Sequence, residues 1–257
     1  MRTRISSLVI LAFLLFIGCS NSKNTFANNS EEKPNHGDWT NLLAKYVKDG
    51  GLVDYRGFLK DKDKLNAYAD YLSANAPADD WSEQEQIAYW INAYNVFTVK
   101  LIVDNYPIKS IKDLNPSLSI PTIRSVWTKE WFQIGGEDFS LDRIEHKILR
   151  KDFEEPRIHF AVNCASISCP TLRNEAYTAE KLNDQLEEQA KLFLNDETRN
   201  TITPDRITVS KIFSWFGGDF KNGQTLVQFI NRYTDVEIND KAKVKFMDYN
   251  WDLNEAN

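Results

Sequence analysis

The spacing of apolar residues predicts helices over the first half of the chain. Apolar positions recur at helical intervals over residues 39–47 and 60–73. The strongest pattern covers Glu83–Asn105, where apolar residues surround most of the helix circumference and Ser82 and Glu85 form a capping box at its start. We therefore expect a central helix, at about residues 83–105, that is buried on nearly all sides.

The second half of the chain mixes short strands with helices. Turn residues within residues 131–141 and 202–209 favour two hairpins, the first around Gly135-Gly136. Hydrophobic periodicity predicts the remaining elements: helices over residues 141–150, 179–194, 211–216 and 225–233, and strands over residues 158–164 and 244–253. With no internal repeat and no second linker, the pattern predicts one α+β domain with a helix-rich first half and a mixed or antiparallel sheet.

The N-terminal residues have the pattern of an export signal. Arg2 and Arg4 precede an apolar run at residues 8–17, too short for a membrane-spanning helix of ~20 residues. The Phe-Ile-Gly-Cys sequence that ends at Cys19 resembles a bacterial lipobox, which implies cleavage before Cys19 and lipidation of that residue. Ser20, in place of an Asp, favours the outer membrane. An ordinary signal peptide cleaved nearby is the alternative.

The sequence divides into three segments by composition. Residues 1–18 form the predicted lipoprotein signal peptide, residues 19–37 a lipid-anchored polar tether, and residues 38–257 the globular domain. The tether is almost free of apolar side chains, so it buries too little surface to fold alone. The division predicts a cell-envelope protein, lipid-anchored in the outer membrane and facing the periplasm.

Charge and composition narrow the choice of partners. The net charge is −6 and there is no basic run, which argues against nucleic acid. Aromatic residues make up 12% of the chain, and they suit either a well-packed core or a cleft for sugars or peptides. If Cys19 carries lipid, Cys164 and Cys169 are the only other cysteines, and an oxidising compartment allows a disulfide between them.

The predicted helix over residues 141–150 carries a carboxylate among apolar side chains. Glu145 lies within the apolar stripe and needs a cation, a hydrogen-bond donor or a pocket. An ion pair with Arg150 or Arg157 is the structural interpretation, and a catalytic role is the alternative. His146 points about 100° away from Glu145 around the helix.

The predicted strand over residues 158–164 carries a histidine and a cysteine. In a regular strand, His159 and Cys164 lie on opposite faces, roughly 16 Å apart. They form a nucleophile–base pair only if the chain bends near Asn163. Otherwise His146, from a separate element, is the better candidate to reach the thiol. A cysteine beside an imidazole becomes partly thiolate at neutral pH.

Two carboxamides lie on the predicted central helix. Asn92 and Asn95 need partners, because an unpaired buried amide costs roughly 1–3 kcal/mol. They either tie down neighbouring loop backbone or form the polar floor of a pocket.

Several of these segments, in the same order, resemble the signatures of the DUF547 family. The matching segments are residues 90–95, 144–150, 159–170, 210–216, 219–220 and 249–254. The resemblance spans residues 87–254 and implies a secreted or lipid-anchored bacterial member of a family that also has plant members. It implies no settled activity. The family's Glu-His and His…Cys signatures, which have invited the idea of a cysteine-dependent hydrolase, fall on Glu145, His146, His159 and Cys164.

We therefore expect a cysteine-dependent hydrolase or acyltransferase of the cell envelope that acts on an amide or a thioester. Cys164 is the predicted nucleophile and His159 or His146 its base, with Glu145 orienting the imidazole.

Three further residues have predicted roles in binding. Asn92 or Asn95 lines the pocket, and Ser168 or loop backbone N–H groups stabilise an oxyanion. The substrate is an envelope peptide, a glycan or a small molecule. No cofactor is expected.

Two other hypotheses follow from the same residues. One is a non-catalytic binding module in which Cys164 and Cys169 form a structural disulfide. The other is a metal site made by Glu145, His146, His159 and Cys164. The metal site ranks last, because adjacent Glu and His residues on one helix point in different directions.

Overall fold

The computed structural model describes residues 33–118 and 124–256. The predicted signal peptide, Cys19 and most of the predicted tether lie outside the described residues. Helices dominate the first half, and two small sheets follow in the second half. The predicted α+β class is confirmed.

The helices and strands occur in the following order. The described α-helices are α1 (Gly37–Tyr46), α2 (Tyr55–Lys60), α3 (Lys62–Ala74), α4 (Glu83–Asn105), α5 (Leu182–Leu194), α6 (Ile212–Trp215), α7 (Gly217–Phe220) and α8 (Leu226–Ile230). The described strands are β1 (Phe132–Ile134), β2 (Glu137–Phe139), β3 (Thr201–Thr203), β4 (Arg206–Val209) and β5 (Lys243–Phe246). A π-helix at Arg143–Leu149 and 3₁₀ helices at Asp49–Gly51, Ile111–Leu114 and Pro156–Phe160 complete the set.

Helix α4 is the central helix that the sequence predicts. Ser82 Oγ accepts a hydrogen bond from Glu85 N at 3.3 Å, and Glu85 Oε2 accepts one from Ser82 N at 2.7 Å, so the capping box is formed. Side chains on every face of α4 are buried. This burial follows from the nearly uniform apolar character of the helix, which leaves no polar face for solvent.

Both predicted hairpins are present. Strands β1 and β2 pair antiparallel, with Phe132 opposite Phe139, and Gly135 and Gly136 have φ values of 61° and 82°. These positive values are what a primed two-residue turn requires. Strands β3 and β4 also pair antiparallel, and β5 adds parallel to β4 to give the order β3-β4-β5.

The strand predicted over residues 158–164 is wrong. Residues Pro156–Phe160 form a 3₁₀ helix, and a turn follows it. Pro156 occupies the first turn, where its fixed φ favours a helix, and the Glu155 side chain accepts a hydrogen bond from Arg157 N as a cap. These local signals override the strand-like alternation of apolar residues, so His159 and Cys164 do not lie on opposite faces of a strand.

The predicted closing strand is shorter than expected. Only β5 pairs, and its four residues are exposed. Residues 247–256 instead run as an irregular segment past the turn at residues 164–168, through an isolated bridge between Ser166 and Leu253. This segment brings Tyr249 and Trp251 to the same cavity as Cys164.

Two hydrophobic clusters form the core. The first joins α1–α4, the β1–β2 hairpin and the π-helix, and the second joins the end of α5, β4 and α6–α8. The 3₁₀ helix at Pro156–Phe160 lies between them, because Ile158 packs in the first cluster and Phe160 in the second. His159, between these two residues, is therefore held at the junction of the two clusters.

Candidate functional site

The turn that carries Cys164 is fixed by the side chain of Asn163. Asn163 Nδ2 donates to Pro170 O at 2.7 Å, and Asn163 Oδ1 accepts from Ala165 N at 2.9 Å. Ala165 has a φ of 59°, in the left-handed region that non-glycine residues rarely adopt. Its Cβ-bearing backbone is held in this conformation by the surrounding hydrogen bonds. The chain therefore reverses immediately after Cys164.

The reversal directs Cys164 towards a cavity of about 160 Å³. The wall is mostly apolar and aromatic. It is lined by Tyr94, Trp127, Glu145, His146, His159, Val162, Cys164, Cys169, Pro170, Ile212, Trp215, Phe216, Tyr249 and Trp251. The structure thus brings together all four residues of the predicted catalytic set, although they come from the π-helix, the 3₁₀ helix and the turn after it.

The Cys164 thiol is surrounded by hydrogen-bond donors. Its Sγ lies 3.3 Å from Ser166 Oγ and 3.3 Å from Tyr249 Oη, and the Cys169 thiol also hydrogen-bonds to it. Hydrogen bonds from Cys169, Ser166 and Tyr249 lower the pKa of Cys164 from its usual value of 9.0, against the opposing effects of burial and of the Glu145 charge. Because these bonds favour the charged form, the site stabilises a thiolate.

Cys169 lies behind Cys164 and is more deeply buried. Its side chain is 4% exposed, and its Sγ accepts a hydrogen bond from Cys164 N at 2.8 Å. Burial and the neighbouring Cys164 sulfur raise the pKa of Cys169 well above its usual value. Both cysteines are free thiols in the structure. The pair therefore combines a partly exposed acidic thiol with a buried thiol that keeps its proton.

His159 is oriented by an aspartate that the functional hypothesis did not include. Its Nε2 lies 2.7 Å from Asp219 Oδ2, and Arg150 donates two hydrogen bonds to the same carboxylate at 2.6 and 2.9 Å. Although burial opposes ionisation, the hydrogen bonds from His159 and Arg150 hold the pKa of Asp219 well below its usual range. An ionised carboxylate only accepts hydrogen bonds, so the His159 proton resides on Nε2.

The other ring nitrogen of His159 has no hydrogen-bond partner among the described residues. Nδ1 is buried and lies 4.0 Å from Glu145 Oε1. The ring stacks on Phe216, with centroids 4.1 Å apart. Because Asp219 holds Nε2 and Phe216 holds the ring plane, the His159 imidazole is kept in a fixed orientation with Nδ1 next to Glu145.

Glu145 is buried, as its position in the apolar stripe predicts. The predicted ion pair with Arg150 or Arg157 is not what the structure shows, because Arg150 pairs with Asp219 and Arg157 with Glu155. The partners of Glu145 are instead the Tyr94 hydroxyl, which hydrogen-bonds to it, and the more distant His159 ring.

His146 occupies a different position in the same network. Its Nδ1 lies 2.7 Å from Arg150 Nη1. Arginine only donates, so His146 Nδ1 accepts this bond and carries no proton. Its Nε2 faces Asp142 Oδ1 at 3.6 Å. Of the two imidazoles, His159 is the more deeply buried, and its Nδ1 has no hydrogen-bond partner among the described residues.

The side chains of Asn92 and Asn95 on α4 hydrogen-bond to the backbone of neighbouring loops. Asn92 exchanges two hydrogen bonds with the backbone of Tyr177, at 2.7 and 3.0 Å. Asn95 donates to Ala161 O and accepts from Asn163 N, both at 2.9 Å. Neither is among the described residues that line the cavity. The loop-tying interpretation is therefore the one that the geometry favours, and Asn95 supports the turn that carries the thiol.

Ser168 also lies away from the cavity wall. Its Oγ accepts a hydrogen bond from Asn250 N at 2.8 Å, and its N donates to Asn250 O at 3.2 Å. These bonds fasten the turn to the segment that carries Tyr249. The hydroxyls that contact the thiol are instead those of Ser166 and Tyr249, each 3.3 Å from Cys164 Sγ, and the only sequence signal for Tyr249 was its place in the last of the family-like motifs.

Two other structural properties bear on function. Within residues 33–118 and 124–256, no group of three or more His, Cys, Asp or Glu side chains is arranged to hold a metal ion. The predicted four-residue metal site is therefore not formed by these residues. Across the same described part of the chain, none of the helices has the length and apolar character needed to cross a bilayer.

Comparison with known proteins gives one family. Residues 78–194 match the family described as "Protein of unknown function, DUF547". Nothing matched the chain among curated proteins or among solved structures. The matched region contains the whole predicted catalytic set, whereas Asp219 and Tyr249 lie beyond its end, so the motif resemblance after residue 194 stays a prediction. The match over residues 78–194 supports the assignment of this chain to the DUF547 family.

Proposed function

We propose that the chain is a cysteine-dependent hydrolase or acyltransferase, in which Cys164 accepts an acyl group from an amide or a thioester. The observation that carries the proposal is the shared cavity, which is lined both by Cys164, whose pKa is lowered by its hydrogen bonds, and by His159, which is oriented by Asp219. This is the combination of nucleophile, base and orienting group that acyl transfer requires.

The first chemical step is attack by the thiolate. In this proposal, the hydrogen bonds that lower the pKa of Cys164 favour its thiolate, so His159 does not need to touch the sulfur in the resting enzyme. The sulfur forms a bond to the substrate carbonyl carbon, and the carbonyl oxygen becomes an oxyanion. In this proposal, Tyr249 Oη, 3.3 Å from Cys164 Sγ, donates to this oxyanion in the role that Ser168 was expected to fill.

The remaining steps need a proton carrier. In this proposal, the proton that Cys164 loses passes through solvent to His159 Nδ1, which donates it to the departing nitrogen or sulfur as the bond from that atom to the carbonyl carbon breaks, and a thioester remains on Cys164. His159 then removes a proton from water, or from an acceptor alcohol or amine, as that group attacks the thioester. The C–S bond breaks, the acyl group leaves and the Cys164 thiolate is restored. The imidazolium that forms is stabilised by Asp219 at Nε2 and by Glu145, 4.0 Å from Nδ1.

The cavity limits what enters it. Its volume of about 160 Å³ and its mostly aromatic wall suit a small apolar acyl group. Trp215 at the wall is 46% exposed and stacks with Trp251, with centroids 5.9 Å apart. In this proposal, the exposed Trp215 and the partly exposed Trp251 contact the remainder of a substrate, whether an envelope peptide, a glycan or a small molecule.

The test is acylation of the purified full-length chain by p-nitrophenyl acetate and by a small acyl thioester. We expect a burst of product and an acyl group on Cys164, located by peptide mass spectrometry. Cys164→Ala should abolish the burst, and His159→Ala should slow release of the acyl group more than its formation. The proposal is contradicted if the acyl donors leave Cys164 unmodified in a folded protein, although iodoacetamide still alkylates this residue.

A second candidate function rests on the contact between the two thiols. A cross-link between Cys164 and Cys169 would give a non-catalytic envelope binding module with a structural disulfide. Titration of free thiols in the folded protein as isolated from the periplasm distinguishes the two, since a structural disulfide protects both cysteines until a reductant is added.

The same proposal places the protein in the cell envelope, anchored by lipid on Cys19 with its domain in the periplasm, on the outer membrane. Its support is the lipobox-like sequence before Cys19. Cys19→Ala should release the protein from the membrane fraction, and recovery of unlipidated wild-type chain as soluble periplasmic protein would contradict the anchor.

A further inference from the structure

The contact between Cys164 and Cys169 has an asymmetry that acyl transfer does not use. Cys164 is partly exposed at the cavity, whereas Cys169 is 4% exposed. Cys169 Sγ accepts the backbone N–H of Cys164 at 2.8 Å and lies 3.8 Å from Val162 O, which accepts its proton. One thiol is open to a substrate, and the other is held, protonated, against the residue that carries the first.

We propose that the chain also catalyses thiol–disulfide exchange, with Cys164 as the attacking thiol, Cys169 as the resolving thiol, and a small linear disulfide with apolar substituents as the substrate. The proposal rests on the nucleophilic Cys164 of the proposed function but not on acyl transfer. Its second observation is the hydrogen bond of 2.8 Å from Cys164 N to Cys169 Sγ, which holds the Cys169 sulfur against the backbone of Cys164.

The reaction proceeds in two balanced steps. The Cys164 thiolate attacks one sulfur of the substrate, so that a mixed disulfide forms, the substrate S–S bond breaks and one thiolate departs with the electron pair. Cys169 then gives its proton to the departing thiolate and attacks Cys164 Sγ. The second substrate thiolate departs and the Cys164–Cys169 disulfide forms. Two electrons pass from the protein to the substrate, and a dithiol reductant restores the protein for another turnover.

The surroundings favour this direction of attack. The Ser166 and Tyr249 hydroxyls each lie 3.3 Å from Cys164 Sγ, and their hydrogen bonds lower the pKa of Cys164, which favours a thiolate as the attacking sulfur. Burial and the neighbouring sulfur raise the pKa of Cys169 and keep its proton in place until the mixed disulfide removes the Cys164 charge. The cavity wall, mostly apolar, accepts the substituent of the disulfide next to Cys164.

The experiment uses the reduced full-length chain, freed of reductant, with diethyl disulfide as the probe. We measure the released thiol and map the modified cysteines by peptide mass spectrometry. Wild type should release both thiols of the probe and contain a Cys164–Cys169 disulfide. Cys169→Ser should release only one and keep the mixed disulfide on Cys164, because its hydroxyl preserves the hydrogen bond but cannot resolve the adduct. Cys164→Ser should show neither product.

The controls separate this inference from the proposed function. Cys169→Ala, with near-ultraviolet circular dichroism to verify folding, should behave as Cys169→Ser. A wild-type chain that retains the mixed disulfide, or that forms only intermolecular cross-links, overturns the resolving role of Cys169. If Cys164 is acylated by p-nitrophenyl acetate in that same preparation, only the exchange activity fails. If the intramolecular disulfide forms without acylation, only the acyl-transfer proposal fails.

Discussion

Asp219→Asn is the substitution that tests the hydrogen-bond network of the site. The change preserves the shape of the side chain but removes its charge and replaces one acceptor oxygen with a donor. Asp219 accepts three hydrogen bonds, from Arg150 Nε at 2.6 Å, from Arg150 Nη2 at 2.9 Å and from His159 Nε2 at 2.7 Å. In the variant, at least one N–H of Arg150 or His159 faces another N–H.

The magnitude follows from the burial of these partners. Breaking a fully buried pair costs about 3–5 kcal/mol, and a hydrogen bond to a charged group contributes about 1.5–3 kcal/mol. Arg150 and Asp219 side chains are each 25% exposed, and solvent screens part of their attraction. We therefore expect a loss of about 2–4 kcal/mol in the free energy of unfolding at pH 7, which lowers Tm by about 5–15 °C for a domain of this size.

The effect depends on pH with a defined sign. The pKa of Asp219 is lowered from 3.8 in the folded protein. Its contribution is therefore fully present above the unfolded value and is lost as the pH falls through the folded value. The difference in Tm between wild type and Asp219→Asn should be constant from pH 7 to about pH 5 and should shrink below about pH 4.

Differential scanning calorimetry across this pH range measures the effect, with Asp248→Asn as the matched control on an exposed carboxylate. The same variants should differ in the pH profile of acyl release from Cys164, because only Asp219→Asn frees Nε2 of His159. Equal Tm values for the two variants at pH 7 would refute the reasoning.

Two other predictions follow from the structure. Tyr249→Phe removes a hydrogen bond to Cys164 and should shift the iodoacetamide labelling of this residue to higher pH. Glu145→Gln removes a nearby negative charge and should shift the labelling to lower pH. Shifts in the same direction would contradict these two effects on the pKa of Cys164. Gly50 and Gly51 share φ values of 73° and 74°, but a Cβ at Gly51 lies 2.3 Å from a neighbouring side chain while one at Gly50 meets nothing within 4 Å. In urea denaturation, Gly50→Ala should lower the free energy of unfolding by about 1–2 kcal/mol because of its positive φ, and Gly51→Ala should lower it by about 1–3 kcal/mol more because of the steric overlap. Equal midpoints for the two variants would contradict a steric overlap at Gly51.

Much of the helical half of the fold is predictable from the sequence. Helix α4 is found at Glu83–Asn105 because its apolar circumference and capping box are both local signals. The hairpin turn at Gly135-Gly136 is local in the same sense. Helix α2 was not predicted, because six residues with a glycine among them show too little periodicity.

The secondary structure of the segment before Cys164 was not predictable from its pattern of apolar residues. Its alternation of apolar residues has two causes in the structure, because Ile158 packs in one hydrophobic cluster and Phe160 in the other. A 3₁₀ helix between two cores therefore produces the same pattern as a strand between two layers. The choice depends on tertiary packing, for which the sequence offers only the weak signal of Pro156.

The residues of the candidate site were predictable in part. The sequence singles out Glu145, His159 and Cys164 because each is a reactive side chain in an otherwise apolar segment. All three line the cavity in the structure. Asp219 was not given a chemical role, since it lies 60 residues from His159 in sequence. A partner that distant carries no spacing signal, and only the fold brings it into contact.

The position of the site between two hydrophobic clusters has a practical consequence for work with fragments. Residues 78–194, the extent of the family match, contain Cys164 and His159. A fragment cut at these limits lacks Asp219 and Tyr249, which hold the imidazole and the thiol, and it ends before most of the second cluster. It also begins after α1–α3, which cover one side of α4. Such a fragment would retain the reactive side chains without the groups that position them, so its inactivity would say nothing about the intact protein.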